Sequence, residues 1–178
     1  MATTPPASPV FPAGYGPLPA DFDGWVQTPM AFVTKRTVLR VAQPAGGQSL
    51  GGSAYTVIQF PAAAEDPYGG WSTTATGAQP AWSYLAPYDG WYEITICVSV
   101  AAVNAHLEPT IQISGNIVYE LGAAAVSAAN AGIVTGSVRV ALLGGLDYVT
   151  GRAWSSAAAT TSAGISRECS MEIVYSAQ

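Results

Sequence analysis

Polarity changes at every second position between residues 91 and 102. Tyr92, Ile94, Ile96, Val98, Val100 and Ala102 fall on one side, and Trp91, Glu93, Thr95, Cys97 and Ser99 on the other. A period of two predicts a strand with one buried face. Pro87, Asp89 and Gly90 stand directly before it and predict a chain reversal. Similar β-rich runs recur downstream and upstream. "TVLRVA" (37–42) and "YTVIQF" (55–60) are split by the turn-rich "QPAGGQSLGGS", and residues 65–82 read as a long aromatic loop. "TIQIS" (110–114) and "IVYELG" (117–122) flank Gly115–Asn116, which predicts a two-residue hairpin turn. "IVTGSVRVALL" (133–143) puts Val134, Val138, Val140 and Leu142 on one side, and Gly144–Gly145 turns the chain into "LDYVTGRAW" (146–154). "ISRECSMEIVY" (165–175) places Ile165, Cys169, Met171, Ile173 and Tyr175 on one face. Residues 123–131 are rich in alanine but bracketed by Gly122 and Gly132. They are too short for an independent helix and read as a loop with a single turn. Seven to ten short strands joined by turns predict an all-β sandwich or jelly roll.

Residues 1–36 follow another rule. Pro5, Pro6, Pro9, Pro12, Pro17, Pro19 and Pro29 remove donors and fix φ, so the segment is expected to run extended or as polyproline II. Apolar residues are embedded in it, and a solvated linker has little use for them. Phe11, Tyr15, Phe22, Trp25 and Phe32 are therefore candidate docking residues of an arm (1–36) that precedes a knob (37–178). Their alternative role is packing on the protein's own knob.

Composition narrows the partners. Hydrophobic residues make up 49% of the 178 and charged residues 10%, against roughly 25% charged in a typical soluble domain. The surface is thus either coated with Ser, Thr and Gly or covered by partners. Net charge is −5, Lys35 is the only lysine, and the five arginines are scattered. Without a basic stripe, nucleic acid is not an expected partner, nor is an anionic membrane surface. No run approaches ~18 apolar residues, so membrane insertion is not expected. "MATTPPASPVFPAG" has neither a basic n-region nor an apolar h-region, so no secretory leader is expected, and Cys97 and Cys169 are expected to stay reduced.

Three ordered segments carry a resemblance. "WSYLAPYDGWYEITICVSV" resembles the central signature of C1q/TNF-like jelly-roll domains, in which Gly-x-Tyr opens a long inner strand. "ISGNIVYE" is similar to the family's next hairpin. "VRVALLGGLDYVTGRAW" is similar to its Gly-Asp-x-Val strand pair, with Leu146 inserted between Gly145 and Asp147. The match covers about residues 37–178. "PVFPAGYGPLPADFDGWVQTPMAFVTKRTVLRV" and "EDPYGGW" are similar to small structural proteins of tailed phages of actinobacteria, often described as minor tail proteins. The resemblance implies an all-β C1q/TNF-like jelly roll with an extended N-terminal arm. It further implies a homotrimeric knob on a virion assembled in the host cytoplasm, with the arm held by other virion proteins. A tail-associated role in host-surface adhesion follows, with a capsid decoration protein or head fibre as the alternative. A secreted carbohydrate-binding module is a further alternative of another class.

Chemistry adds little. Nucleophilic catalysis needs a base in reach of the nucleophile, yet His106 is the only histidine and reads as a loop residue. No Gly-x-Ser-x-Gly elbow occurs. Glu65 and Asp66 are adjacent in a loop, Asp89 and Asp147 lie near turns, and Asp89 in Pro-x-Asp-Gly serves the turn itself. No Asp-x-Asp-x-Asp run offers calcium its several oxygens. No catalytic residue, cofactor or metal is therefore expected. Tyr68, Trp71, Trp82 and Trp154, in or beside loops, are candidates for stacking on a host-surface glycan. Their alternative role is to pack the ends of the sandwich or a subunit interface. Cys97 and Cys169 read as small packed residues.

Overall fold

The alternating run becomes strand β7 (Gly90–Val100), and Tyr92, Ile94, Ile96, Val98 and Val100 on it are fully buried. The computed structural model describes residues 36–129, 131–162 and 168–176. Phe11, Tyr15, Phe22, Trp25 and Phe32 of the expected arm, and Ile165, lie outside the described residues. Burying one such aliphatic side chain contributes roughly 1.5–3 kcal/mol. A row of five therefore outweighs any single turn or ion pair in placing β7 between two layers.

Fourteen strands are present among the described residues, more than the seven to ten expected. β1 (Arg36–Gln43), β4 (Ala62–Glu65), β7, β11 (Gly132–Leu142) and β14 (Cys169–Ser176) form an antiparallel sheet in the order β11-β7-β14-β1-β4. β7 and β11 pair along their full length, from Gly90↔Leu142 to Val100↔Gly132. The second sheet has the order β10-β8-β12-β6-β5. Its members are β10 (Ala124–Val126), β8 (Ala105–Ile113), β12 (Tyr148–Ser155), β6 (Ser83–Leu85) and β5 (Trp71–Ser72). β3 (Ala54–Val57) pairs with β12, and β9 (Ile117–Glu120) with β8. β2 (Ser49–Leu50) and β13 (Ala159–Thr160) form a small separate ribbon.

The core lies between the two large sheets. Leu39, Val41, Ile96, Met171 and Ile173 face Leu107, Ile111, Val149 and Ala153 across it. The sheets approach closely at Gly151. A Cβ there would meet Ile96 Cδ1 at 2.9 Å and Met171 Sδ at 3.1 Å. On β1 the alternation is interrupted by a register shift between Thr37 and Leu39. That shift lets Val38 and Leu39, adjacent in sequence, both be buried.

Several local expectations change. The buried stripe ends at Val100. Ala102 is exposed because the chain leaves the sheet there, and the Ala101 N–H bonds the Thr160 carbonyl instead. The β8–β9 loop has three residues rather than two, since Ile113 pairs with Ile117. Ser114 and Gly115 take positive φ, 49° and 74°, and the Asn116 N–H closes the turn on the Ile113 carbonyl at 3.0 Å. The run 55–60 is strand only to Val57. Beyond it Ile58 and Phe60 are buried as the chain crosses toward the first sheet. The aromatic loop 65–82 contains β5, with Trp71 opposite Tyr84. The alanine-rich 123–131 segment contains β10 rather than a helical turn, because β8 extends far enough to pair with it. His106 accordingly sits on β8, not in a loop.

Candidate functional site

The chain reversal before β7 is built from side chains that lock one another. The Tyr92 hydroxyl donates to the Tyr88 carbonyl at 2.7 Å and accepts from the Tyr88 N–H at 3.2 Å. Burial pushes the Tyr92 phenol up to about 12. Gly90 has a φ of 152°, and a Cβ on it would meet the Tyr175 ring at 2.7 Å. The Gly-x-Tyr signature thus has a packing cause. Glycine makes room for Tyr175, whose ring stands edge-on to Tyr92 at 5.1 Å.

Asp66, Asp89 and Asp147 are engaged as turn caps, whereas Glu65 ends strand β4. Asp89 Oδ1 accepts the Gly144 N–H at 2.7 Å. Asp147 accepts the Ser114 hydroxyl at 2.7 Å and the Leu143 N–H at 2.9 Å. Asp66 accepts the N–H groups of Gly70 and Trp71 at 3.1 and 2.9 Å. Glu65 pairs with Arg40 at 3.3 Å. An open cleft of about 470 Å³ beside Asp66 is lined by Arg36, Thr37, Glu65 and Pro67 and gathers no catalytic set. Among the described residues no three His, Cys, Asp or Glu side chains group to hold a metal ion. Cys97 is half-buried on the open face of β7. Cys169 is buried, which pushes its thiol up to about 11, and both cysteines are free.

The four candidate aromatics do not form one surface. Trp71 is half-buried and packs edge-on against Phe60 at 6.0 Å. Tyr68 packs on Tyr88 at 5.3 Å, with the Arg36 guanidinium 5.3 Å from its ring centre. Trp82 is half-buried in the loop before β6, at a φ of 60°. Trp154 lies on β12, one residue before its end, on the face turned away from the core.

Around Trp154 the register assembles residues that the sequence reading did not single out. Trp154 stands opposite Tyr55 on one side and Glu108 on the other. In the next row Arg152 neighbours Thr110, and Thr110 neighbours Glu120. The Tyr55 hydroxyl donates to Glu120 Oε1 at 3.1 Å, so its side chain crosses β12 and β8. That bond is the main reason its phenol is held above its ordinary range. The Arg152 guanidinium lies 4.9 Å from the Tyr55 ring centre. Thr110 is fully buried, and neither its Oγ1 nor Arg152 Nε has a partner. Desolvation raises the Glu108 carboxyl, and the charge of Glu120 adds to it.

The open face of the first sheet is different. It shows Trp91, Thr95 and Cys97 from β7 beside Ile133, Ser137 and Ala141 from β11. Ile133 is 48% exposed and Trp91 39%. Arg139 lies over the Trp91 ring at 5.1 Å, and Thr95 and Ser137 share a hydrogen bond of 2.9 Å.

No protein-family model and no curated protein matches the chain. Solved structures do. Murine APRIL at pH 5.0 superposes with a TM-score of 0.57 at 13% identity, covering 80% of this chain and 99% of that one. The globular domain of zebrafish complement 1qA gives 0.54 at 11% identity, covering 79% and 96%. PRD1 vertex protein P5 gives 0.50 at 18% identity, covering 82% and 99%. The fold is a C1q/TNF-like jelly roll. At these identities the likeness extends to the fold.

Proposed function

We propose that this protein is a non-enzymatic virion component, a homotrimeric jelly-roll knob carried by its N-terminal segment 1–36 and used to attach to the host surface. The observation that carries the trimer is the open face of β7 and β11. Trp91 and Ile133 are exposed there among short side chains, with Glu93 and Arg139 as the charged pair of the row next to Trp91, in a chain with only 10% charged residues. Short side chains let a second copy approach closely, and Trp91 and Ile133 supply the apolar anchors that interfaces favour. Three copies present three equivalent weak sites, and multivalency raises their combined strength. The similarity of the N-terminal segment to minor tail proteins supports a place on the tail.

A second placement, on the capsid as a decoration protein or head fibre, is favoured by one observation. The fold covers 99% of PRD1 vertex protein P5. Sedimentation of the full chain tests the assembly. A trimer is expected, and a stable monomer at micromolar concentration refutes it. Labelling particles with an antibody against residues 37–178 separates tail from capsid. Deleting residues 1–36 should abolish incorporation into particles. Incorporation of the truncated chain would refute the arm assignment.

A further inference from the structure

The outer face of the second sheet carries free hydrogen-bonding capacity that the fold itself leaves unused. Thr110 is fully buried on that face with Oγ1 unpartnered, and Arg152 Nε beside it is buried and unpartnered as well. Such atoms are costly unless something completes them. Tyr55 crosses over this row, held at its tip by a single 3.1 Å bond to Glu120, and it is 40% exposed. In the adjacent row, half-buried Glu108 flanks Trp154, and its carboxylate has no hydrogen-bond donor among the described residues.

This inventory restricts the ligand. An ionised carboxylate only accepts, and a guanidinium only donates. A ligand that meets Glu108 and Arg152 together must therefore offer both donors and acceptors, as adjacent hydroxyls do. The Trp154 and Tyr55 rings require a flat apolar side on the same molecule. The two carboxylates and one guanidinium leave a local excess of negative charge in a chain of net charge −5, which disfavours an acidic ligand. A peptide strand adds to a sheet edge rather than to a sheet face. We propose that the face around Trp154, Glu108 and Arg152 binds an uncharged pyranose ring of a cell-surface polysaccharide. The proposal names the partner for the host-attachment reading and rests on it for the source of the sugar. In this site the sugar's C–H side lies on Trp154, and vicinal hydroxyls bridge Glu108 and Arg152.

The test uses the full chain and saturation-transfer NMR with methyl β-D-glucopyranoside, methyl β-D-galactopyranoside and methyl α-D-mannopyranoside. N-acetylneuraminic acid serves as the acidic comparator. At least one neutral glycoside should receive saturation, and the acid should not. Glu108→Gln should weaken the neutral contact about tenfold or more, the usual size of a lost charge-assisted bond. Trp154→Ala should remove it. Glu108→Gln changes no packing and keeps the test valid if Trp154→Ala fails to fold. No transfer to any neutral glycoside, or transfer that both variants leave unchanged, overturns the site. Adhesion of labelled protein to actinobacterial cells is read separately. Adhesion that Glu108→Gln leaves intact refutes this site while sparing the attachment reading. Glycoside binding without adhesion supports the site and refutes the attachment reading.

Discussion

The two sheets share one core but turn unlike faces outward. The first presents the cross-strand neighbours Glu93 and Arg139 and the short side chains of Thr95, Cys97, Ser137 and Ala141 alongside Trp91 and Ile133. Its exposed charges at Arg40, Glu65 and Glu172 already pair with one another. The second presents Tyr55, Trp154 and Arg152 with Glu108 and Glu120, and it buries Thr110 without a partner. A face of short side chains with satisfied polar groups has little left to offer a small ligand. Its capacity is area. A face with unpartnered donors and acceptors beside the Trp154 and Tyr55 rings offers directional bonding as well as apolar contact. On the two proposals above, oligomerisation falls to one sheet and ligand recognition to the other within a single sandwich.

Both faces depend on the layer between them, so the largest effect is expected there. Ile96→Ala removes a fully buried side chain of β7 that faces Gly151 across the core. It should cost about 2–5 kcal/mol, read from urea unfolding. Assembly and ligand binding should then be lost together as the domain unfolds. Loss of one without the other would mean that the faces are not coupled through this core.

Next in size is a change that should separate the faces. Trp91→Glu combined with Ile133→Glu places charge on the open side of β7 and β11. If this is the subunit interface, buried anchors of this kind are worth about 2 kcal/mol or more each. Sedimentation should show monomers at concentrations where the unaltered chain is trimeric, with the unfolding midpoint of the isolated domain little changed. A trimer that persists moves the interface elsewhere and removes the first half of the comparison.

The β7 stripe was legible because a period of two is local. Tyr92 to Val100 alternate whatever lies around them, and burial follows. The turn after Ile113 was misjudged because its length depends on which residues pair, and Ser114 in the left-handed region is not a residue that announces a turn. β10 was missed because Ala124–Val126 becomes a strand only through β8 beside it. The proposed ligand face was the least legible part. Trp154 stood out alone, but Tyr55, Glu108, Glu120 and Arg152 lie on four different strands. Only the register brings them together, and no spacing along the chain encodes it. Asp89 and Asp147 were legible as turn carboxylates because the turn itself demands them, and both cap backbone N–H groups.

A smaller effect is expected where the two layers close at one end. Tyr92→Phe removes the hydroxyl that holds both backbone groups of Tyr88 and should cost about 0.5–1.5 kcal/mol in urea unfolding. It also changes the alkaline limb. The Tyr92 phenol is raised from 10.0 to about 12 in the folded protein. The unfolded chain therefore loses this proton first as pH rises. Its contribution is complete below about pH 10 and is lost as pH rises toward 12. The Cys169 thiol, raised from 9.0 to about 11, acts in the same direction from a lower pH. The unfolding midpoint should fall across this range, and less steeply in Tyr92→Phe. An equal slope in both proteins would mean that the phenol is not held neutral by its burial.

The smallest effect concerns the charges on the first face. Arg40 bridges Glu65 of β4 at 3.3 Å and Glu172 of β14 at 2.8 Å, and its side chain is 50% exposed. The bonds raise the guanidinium above its ordinary value, the Glu172 hydrogen bond most of all. Yet ion pairs this open to water contribute little, because solvent and salt screen them. Arg40→Ala should leave the urea midpoint and the sedimentation behaviour unchanged within measurement, at low and at high salt. That result would leave Arg40 and its two carboxylates out of the first face's contribution. If Arg40→Ala instead dissociates the assembly, and added salt does the same to the unaltered chain, then charge holds that interface. The two faces would then both work by directional polar contacts, and the division between area on one sheet and bonding on the other would fail.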